Sequence, residues 1–152
     1  MFLVNVKKCL SLFEKVYVST NDYDIYKKAI LVGAEAIIRG EELCGDTPNI
    51  PVYQHAMKQM PDIDGIVAVQ SNSPTVDPRI IKTIKIVMEE GAQEVMTCHS
   101  DRKIYGSVWA LSKDKLMNYG DPYKPNPEII LIDPSVDIHT QSDYELALKD
   151  YK

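Results

Sequence analysis

Several things are scarce or missing in this 152-residue chain. No apolar run approaches the roughly 20 residues that cross a bilayer. The apolar opening from Met1 to Leu12 is interrupted by Lys7 and Lys8, with no small-residue cleavage site behind it, so no signal peptide is read. Cysteine is sparse: Cys9, Cys44 and Cys98 are far apart and show neither metal-ligand spacing nor a disulfide framework. Buried thiols in a reducing cytoplasm are the expectation. Basic residues are outnumbered, 17 Lys and Arg against 22 Asp and Glu, for a net charge of −5. That argues against broad nucleic-acid or anionic-membrane surfaces, and leaves room for a local basic pocket holding one nucleotide. No repeat, low-complexity segment or linker divides the chain, so a single domain over 1–152 is expected.

What is present is an alternation of helical and extended patterns. Leu3, Val6, Leu10 and Phe13 form a helical stripe. Lys15 to Ser19 reads as a strand, and Asp22 caps a helix to about Leu31 with Tyr23, Tyr26, Ala29 and Ile30 as its core face. Gly33 ends that helix. A short strand at 36–39, a polar loop at 40–51 and a helix near 52–60 follow. "DGIVAVQ" (64–70) is continuously apolar, as in a parallel strand covered on both faces. Pro78 opens a helix that Gly91 stops. Strands at 94–98, 106–112 and 128–133 and helices at 114–119 and 141–151 complete the order, with Thr140 or Ser142 as the last N-cap candidate. The alternation predicts an α/β fold, a three-layer α/β/α sandwich around a mostly parallel, Rossmann-like sheet.

Four strand ends carry polar groups: Ser19-Thr20-Asn21-Asp22, Arg39, Gln70-Ser71-Asn72-Ser73, and Asp137. Parallel strands bring such ends to one edge, where ligands bind. Hydroxyls, an amide, a guanidinium and a carboxylate on one rim suit a phosphorylated, sugar-like ligand held with a divalent metal. Each residue also has a plainer reading. Ser, Thr, Asn and Asp end strands through turn chemistry alone. Arg39 can pair with Glu41 or Glu42, Asp46 can cap a helix, His55 can be structural, and Trp109 is read as core.

The segment "VYVSTNDYDIYKKAILVGAEAIIRGEELCGDT" resembles a stretch of the sugar-acid cytidylyltransferases, the CMP-sialic acid synthetases and their relatives. In that family a strand ending in Ser-Thr-Asp-Asp leads to a helix, a Gly-Ala-Glu, an Arg and a Glu-Leu-x-x-Asp loop. "HAM" (55–57), "VAVQSNSPTVDPRII", "YGSVWALSKDKL" and "SVDIHTQSDYELA" resemble later family segments in the same order, from about residue 10 onward. The resemblance implies a nucleotidyltransferase sheet of the nucleotide-diphospho-sugar transferase type, and transfer of CMP from CTP to a sugar acid with release of pyrophosphate. Mg²⁺, or Mn²⁺, would neutralise phosphate charge. It assigns Asp137 and Arg39 to catalysis, Asp137 and His139 to the metal, and Thr20, Asp46, Gln70, Ser73 and Gly106 to the nucleotide or sugar. CTP and a sugar acid are the implied partners.

The chain departs from the family pattern in three places. The family opens with a strand and a loop of the type Pro-Ala-Arg-x-Gly-Ser-Lys, which this sequence lacks, so an N-terminally truncated sheet is expected. Its unpaired edges and exposed apolar surface call for a cover, and a homodimer is one. His139 stands where a second metal-binding Asp usually stands, and Mg²⁺ prefers oxygen. Tyr105 replaces the Asn before Gly106, Val76 replaces a frequent Arg, and the stretch before Gly106 is short, which leaves the sugar open. A non-catalytic or truncated binding or regulatory protein of the same fold is the alternative, and an enzyme for a non-acidic sugar is a third reading.

Overall fold

The computed structural model describes residues 1–101 and 104–150, the side chains of 104 and 105 excepted. The order is α1 (Phe2–Leu10), β1 (Tyr17–Thr20), α2 (Tyr23–Leu31), β2 (Glu35–Ile38), a 3₁₀ turn (Glu41–Leu43), α3 (Asn49–Gln59) and β3 (Gly65–Val69). Then come α4 (Pro78–Glu89), β4 (Glu94–Cys98), β5 (Ile104–Ser112), α5 (Lys113–Met117), β6 (Ile129–Ile132) and α6 (Gln141–Asp150). No helix among the described residues is long and apolar enough to cross a membrane.

Local chemistry sets the boundaries. The Asp22 carboxylate accepts from the N–H of Asp24 (2.7 Å) and Ile25 (3.0 Å), capping α2 as the sequence suggests. Gly33 (φ +95°) and Gly91 (φ +108°) follow α2 and α4 in a conformation that disfavours other residues. Asp77 caps α4 ahead of Pro78. Before α6, the Asp143 N–H donates to Thr140 Oγ1 and the Thr140 N–H donates to the Asp143 carboxylate (2.8 Å), a reciprocal capping box. The loop expected over 40–51 is shorter than that, because α3 starts at Asn49 and takes Pro51 into its first turn.

The strands form a mixed, open arrangement. β1 and β2 pair in parallel. The order of the other four is β3-β5-β4-β6. β4 and β6 are parallel, while β5 runs against both β3 and β4. On one face, Ile50 and Met57 of α3 and Leu116 of α5 pack on Met96, Trp109 and Leu111. On the other, Ile81 and Ile84 of α4 pack on Val95, Val108 and Ala110. A third cluster joins Val6 of α1 and Ala29 of α2 to Val16, Val18 and Ala36. Trp109 is core, as read, and edge-packed between Tyr53 and Tyr119.

Two expectations need correction. α2 buries Ala29, while Tyr23, Ile30 and Leu31 are exposed. A two-stranded sheet gives the helix only a narrow surface to cover. β3 was expected to be covered throughout, yet all five of its residues are only half-buried. β3 pairs with β5 on one side, and its other edge faces a groove of about 1170 Å³ whose far wall is β1. Among the described residues neither of these facing edges has a strand partner, and both line one space.

Candidate active site at the strand ends

Two loops and one helix assemble the rim. Asn5 on α1 is buried and donates from Nδ2 to the carbonyls of Gln70 (2.8 Å) and Ser73 (3.1 Å). Lys8, one turn later, donates to the carbonyls of Val76 (2.9 Å) and Pro74. Burial holds its ammonium below the ordinary lysine range. α1 thus fastens the loop after β3 through backbone acceptors. The loop after β6 is stitched to the same segment: the N–H of Ile138 donates to the Asn72 carbonyl (2.8 Å) and that of Val136 to Thr75 Oγ1 (2.8 Å).

Those ties bring Asp137 against Asn72. Asn72 Nδ2 donates to one Asp137 carboxylate oxygen, and His139 Nε2 lies 2.5 Å from the other. Asp137 is mostly buried and His139 is exposed to solvent. The two residues assigned to a metal are therefore neighbours. Among the described residues no group of three His, Cys, Asp or Glu is arranged to hold an ion. One carboxylate and one imidazole fit only the open kind of divalent site, in which water and substrate phosphates complete the shell.

Arg39 and Gln70 line the groove, whose wall also includes Ser19 and Ser71. Arg39 Nη1 donates to the Ser19 carbonyl (2.6 Å) and lies 3.2 Å from Ser19 Oγ, and its Nε is buried without a partner. It pairs with neither Glu41 nor Glu42 in the described set. Gln70 Nε2 donates to Tyr53 Oη (2.7 Å). Burial raises the Tyr53 phenol well above its ordinary value, with the Gln70 bond opposing.

The remaining assigned residues sit differently. Ser73 is fully buried behind the loop. Thr20 is buried too, and its hydroxyl accepts from the Asp22 N–H (3.0 Å), which is turn chemistry. Asp46 is exposed between Gly45 and Thr47, both of which line the groove, and the helix that follows is capped at Pro48. Gly106 is half-buried, and a Cβ there would meet only the Met96 methyl at 3.7 Å. The side chain of Tyr105 lies outside the described residues.

The sequence reading missed a buried polar chain beneath the rim. Asp133 is fully buried, and accepts from the N–H (3.0 Å) and Oγ (2.5 Å) of Ser135 and from Ser107 Oγ. Ser107 in turn lies 2.6 Å from Thr97 Oγ1. The signal available was an Asp closing an apolar strand with Ser two residues on.

The fold is that of nucleotidyltransferases of the nucleotide-diphospho-sugar type. A CMP:2-keto-3-deoxy-manno-octonic acid synthetase solved with CTP superposes with a TM-score of 0.64, covering 99% of this chain and 74% of that one at 15% identity. A Mycobacterium tuberculosis protein solved with manganese gives 0.66, over 95% and 86% at 16% identity. In sequence, a 3-deoxy-manno-octulosonate cytidylyltransferase from Brucella anthropi is 29% identical over 85 residues, which is 55% of this chain and 33% of that protein. The match thus spans a third of that relative's length. No protein-family model matches the chain.

Proposed function

We propose that this chain is a cytidylyltransferase domain that transfers CMP from CTP to a sugar acid. The observation that carries the reading is that Arg39 and Gln70 line one groove while Asn72, two residues past Gln70, holds the Asp137–His139 pair, on a fold shared with a synthetase solved with CTP. The partial sequence match to a 3-deoxy-manno-octulosonate enzyme supports an eight-carbon sugar acid over a sialic acid. In the reaction a sugar hydroxyl attacks the α-phosphorus, the bond to pyrophosphate breaks, and the hydroxyl proton is lost.

The residues contribute position and charge. Arg39 presents a fixed guanidinium suited to a phosphate or carboxylate. Gln70, oriented by Tyr53, offers its amide oxygen to a sugar or base. Asp137 and His139 would hold a divalent cation, Mg²⁺ or Mn²⁺. Bound there, the cation would neutralise charge on the phosphate oxygens. Asn72 orients Asp137 from behind.

The test is pyrophosphate release with CTP, Mg²⁺ or Mn²⁺ and a panel of sugar acids, with Asp137→Ala as control. Release that needs CTP and one sugar acid, and is lost in the control, is the expected result. A binding protein without catalysis is the second reading. The observation in its favour is that both Asp137 oxygens are already engaged, by Asn72 and His139. CTP binding by calorimetry without pyrophosphate release would select it.

A further inference from the structure

We infer that Asp133 is a positioning residue for the Asp137 carboxylate: through Ser135 it fixes the backbone on which Asp137 stands. The inference deepens the transferase reading, in which Asp137 is proposed to hold the cation. It concerns a residue that neither the strand-end pattern nor the family resemblance assigns.

Residues 133–140 join β6 to α6 as irregular chain. Such a segment keeps one shape only where its backbone groups find partners. Its tail is held from α6, where the Asp143 carboxylate accepts from the N–H groups of His139 (3.1 Å) and Thr140 (2.8 Å). Its middle is held from the loop after β3. There the Ile138 N–H donates to the Asn72 carbonyl and the Val136 N–H to Thr75 Oγ1, both at 2.8 Å. Its head is held by Asp133. The Asp133 N–H donates to the Cys98 carbonyl at the end of β4 (2.8 Å). The Asp133 carboxylate then takes the Ser135 N–H (3.0 Å) on one oxygen and the Ser135 hydroxyl (2.5 Å) on the other. Asp137 follows two residues later, so it stands between two turns that are each closed on a carboxylate.

Depth separates Asp133 from an ordinary turn aspartate. It is fully buried, whereas Asp143 is only half-buried. A carboxylate inside a sheet loses its hydration, and is kept where donors replace the water. A third donor comes from Ser107 Oγ of β5. Ser107 lies 2.6 Å from Thr97 Oγ1 of β4, which accepts from the Val108 N–H (3.1 Å). The hydroxyls thus form a chain that ends on the carboxylate, and bonds in such a chain strengthen one another. Asp133 is therefore fastened to β4 and β5 as well as to its own strand, while the turn it closes leads to Asp137.

Polar ties rather than packing define this turn on one side. Pro134 and Ser135 border a hollow of about 480 Å³, shared with Lys8, Thr75 and Val76. Lys8 spans the same region from α1, donating to the carbonyls of Pro74 and Val76. Burial lowers its ammonium, with Cys9, Asp133 and Asp77 opposing. The two loops that meet at Asp137 therefore share a buried anion on one side and a half-buried cation on the other. The two serines give a clean contrast. Both hydroxyls meet the same Asp133 oxygen, Oδ2, yet Ser135 belongs to the loop and Ser107 to the sheet.

The experiment compares Ser135→Ala, Ser107→Ala and Asp133→Ala in the full chain. It reads amide hydrogen exchange at Val136 and Ile138, the side-chain amide resonances of Asn72, and Mn²⁺ binding by paramagnetic resonance. Ser135→Ala should speed both amides at least fivefold and shift the Asn72 resonances, as the bond to Asp137 is displaced. Mn²⁺ should bind about tenfold more weakly. Ser107→Ala loses a buried bond to the same oxygen, yet should leave all three within about twofold of the wild type. Asp133→Ala should exceed Ser135→Ala, and Asp133→Asn, which keeps an acceptor for the Ser135 N–H, should recover part of the loss. If Asp133→Ala does not fold, the serine pair decides. Equal effects of the two serine variants would mean a role in stability alone, and overturn the inference. Wild-type exchange and resonances in Ser135→Ala overturn it too. If the wild type binds no Mn²⁺ at millimolar concentration, the cation part of the transferase reading fails, and exchange and resonances still decide the role of Asp133.

Discussion

The Arg39 guanidinium donates to the Ser19 carbonyl at 2.6 Å, on the edge of β1 that has no strand beside it. A side chain from β2's end thus satisfies one acceptor of an open edge. The same group is the one proposed to meet an anion at the rim. Arg39→Ala should lower pyrophosphate release at least tenfold and cost about 1–2 kcal/mol of stability, as a carbonyl loses its donor. Arg39→Lys keeps the charge and loses the fork, so it should recover the stability more fully than the activity. Steady-state kinetics alongside urea unfolding check both parts.

On the proposed reading, the imidazole of His139 beside Asp137 would set the metal preference. Replacing His139 with Asp adds an oxygen donor, and should tighten Mg²⁺ at least threefold while relaxing the preference for Mn²⁺. Asp137→Asn should weaken both ions at least tenfold. Metal titrations followed through activity, with Mn²⁺ binding read directly by paramagnetic resonance, separate ion binding from chemistry.

Asp133 carries a stability prediction. Asp133→Ala strands the Ser135 and Ser107 donors in a fully buried site, and about 2–4 kcal/mol should be lost. For a chain of this size that is roughly 4–16 °C in Tm. Asp133→Asn retains an acceptor and should lose less. Thermal unfolding by circular dichroism measures the order.

The Cys9 thiol is pushed up to about 11 by burial, with Lys8 opposing. Less thiolate is available at any pH below that value, so alkylation should be slow. Two units above the ordinary 9.0 correspond to roughly a hundredfold less thiolate at pH 8. Iodoacetamide labelling read by peptide mass spectrometry should show Cys9 reacting at least that much more slowly in the native protein than in urea.

Asp143 is held below the usual carboxylate range by the Thr140 hydroxyl, then by the N–H groups of His139 and Thr140. A depressed carboxylate contributes stability that is present above its unfolded pKa, about 4. That contribution is lost as pH falls through the lower folded value. The cap of α6 should therefore fray below pH 4, and Asp143→Asn should remove that part of the pH dependence. The chemical shift of the Thr140 amide reports it.

Much of this architecture was legible beforehand, for physical reasons. Asp22, Gly33, Pro78 and Gly91 act within one turn of chain, so helix ends could be read from neighbours alone. The apolar runs of β3 and β4 announced strands. The direction of β5 could not be read, because an antiparallel strand has the same alternation as a parallel one. Pro51 was misplaced because proline suits both loops and first turns. At the site, the strand-end pattern led to Asp137, Arg39 and Gln70. The engagement of Asp137 by Asn72 depends on loops 65 residues apart in sequence, and no local pattern encodes it. Asp133 escaped because, besides Ser135 two residues on, its partner Ser107 comes from β5 and lies in turn against Thr97 of β4.

α1 has a role that its modest length conceals. The cluster built on β1, β2 and α2 is separate from the two that enclose the four-stranded sheet, and Asn5 and Lys8 clasp the one part to the other through four backbone carbonyls. Breaking that clasp should let the smaller cluster, and with it the rim bearing Arg39, open apart from the four-stranded sheet.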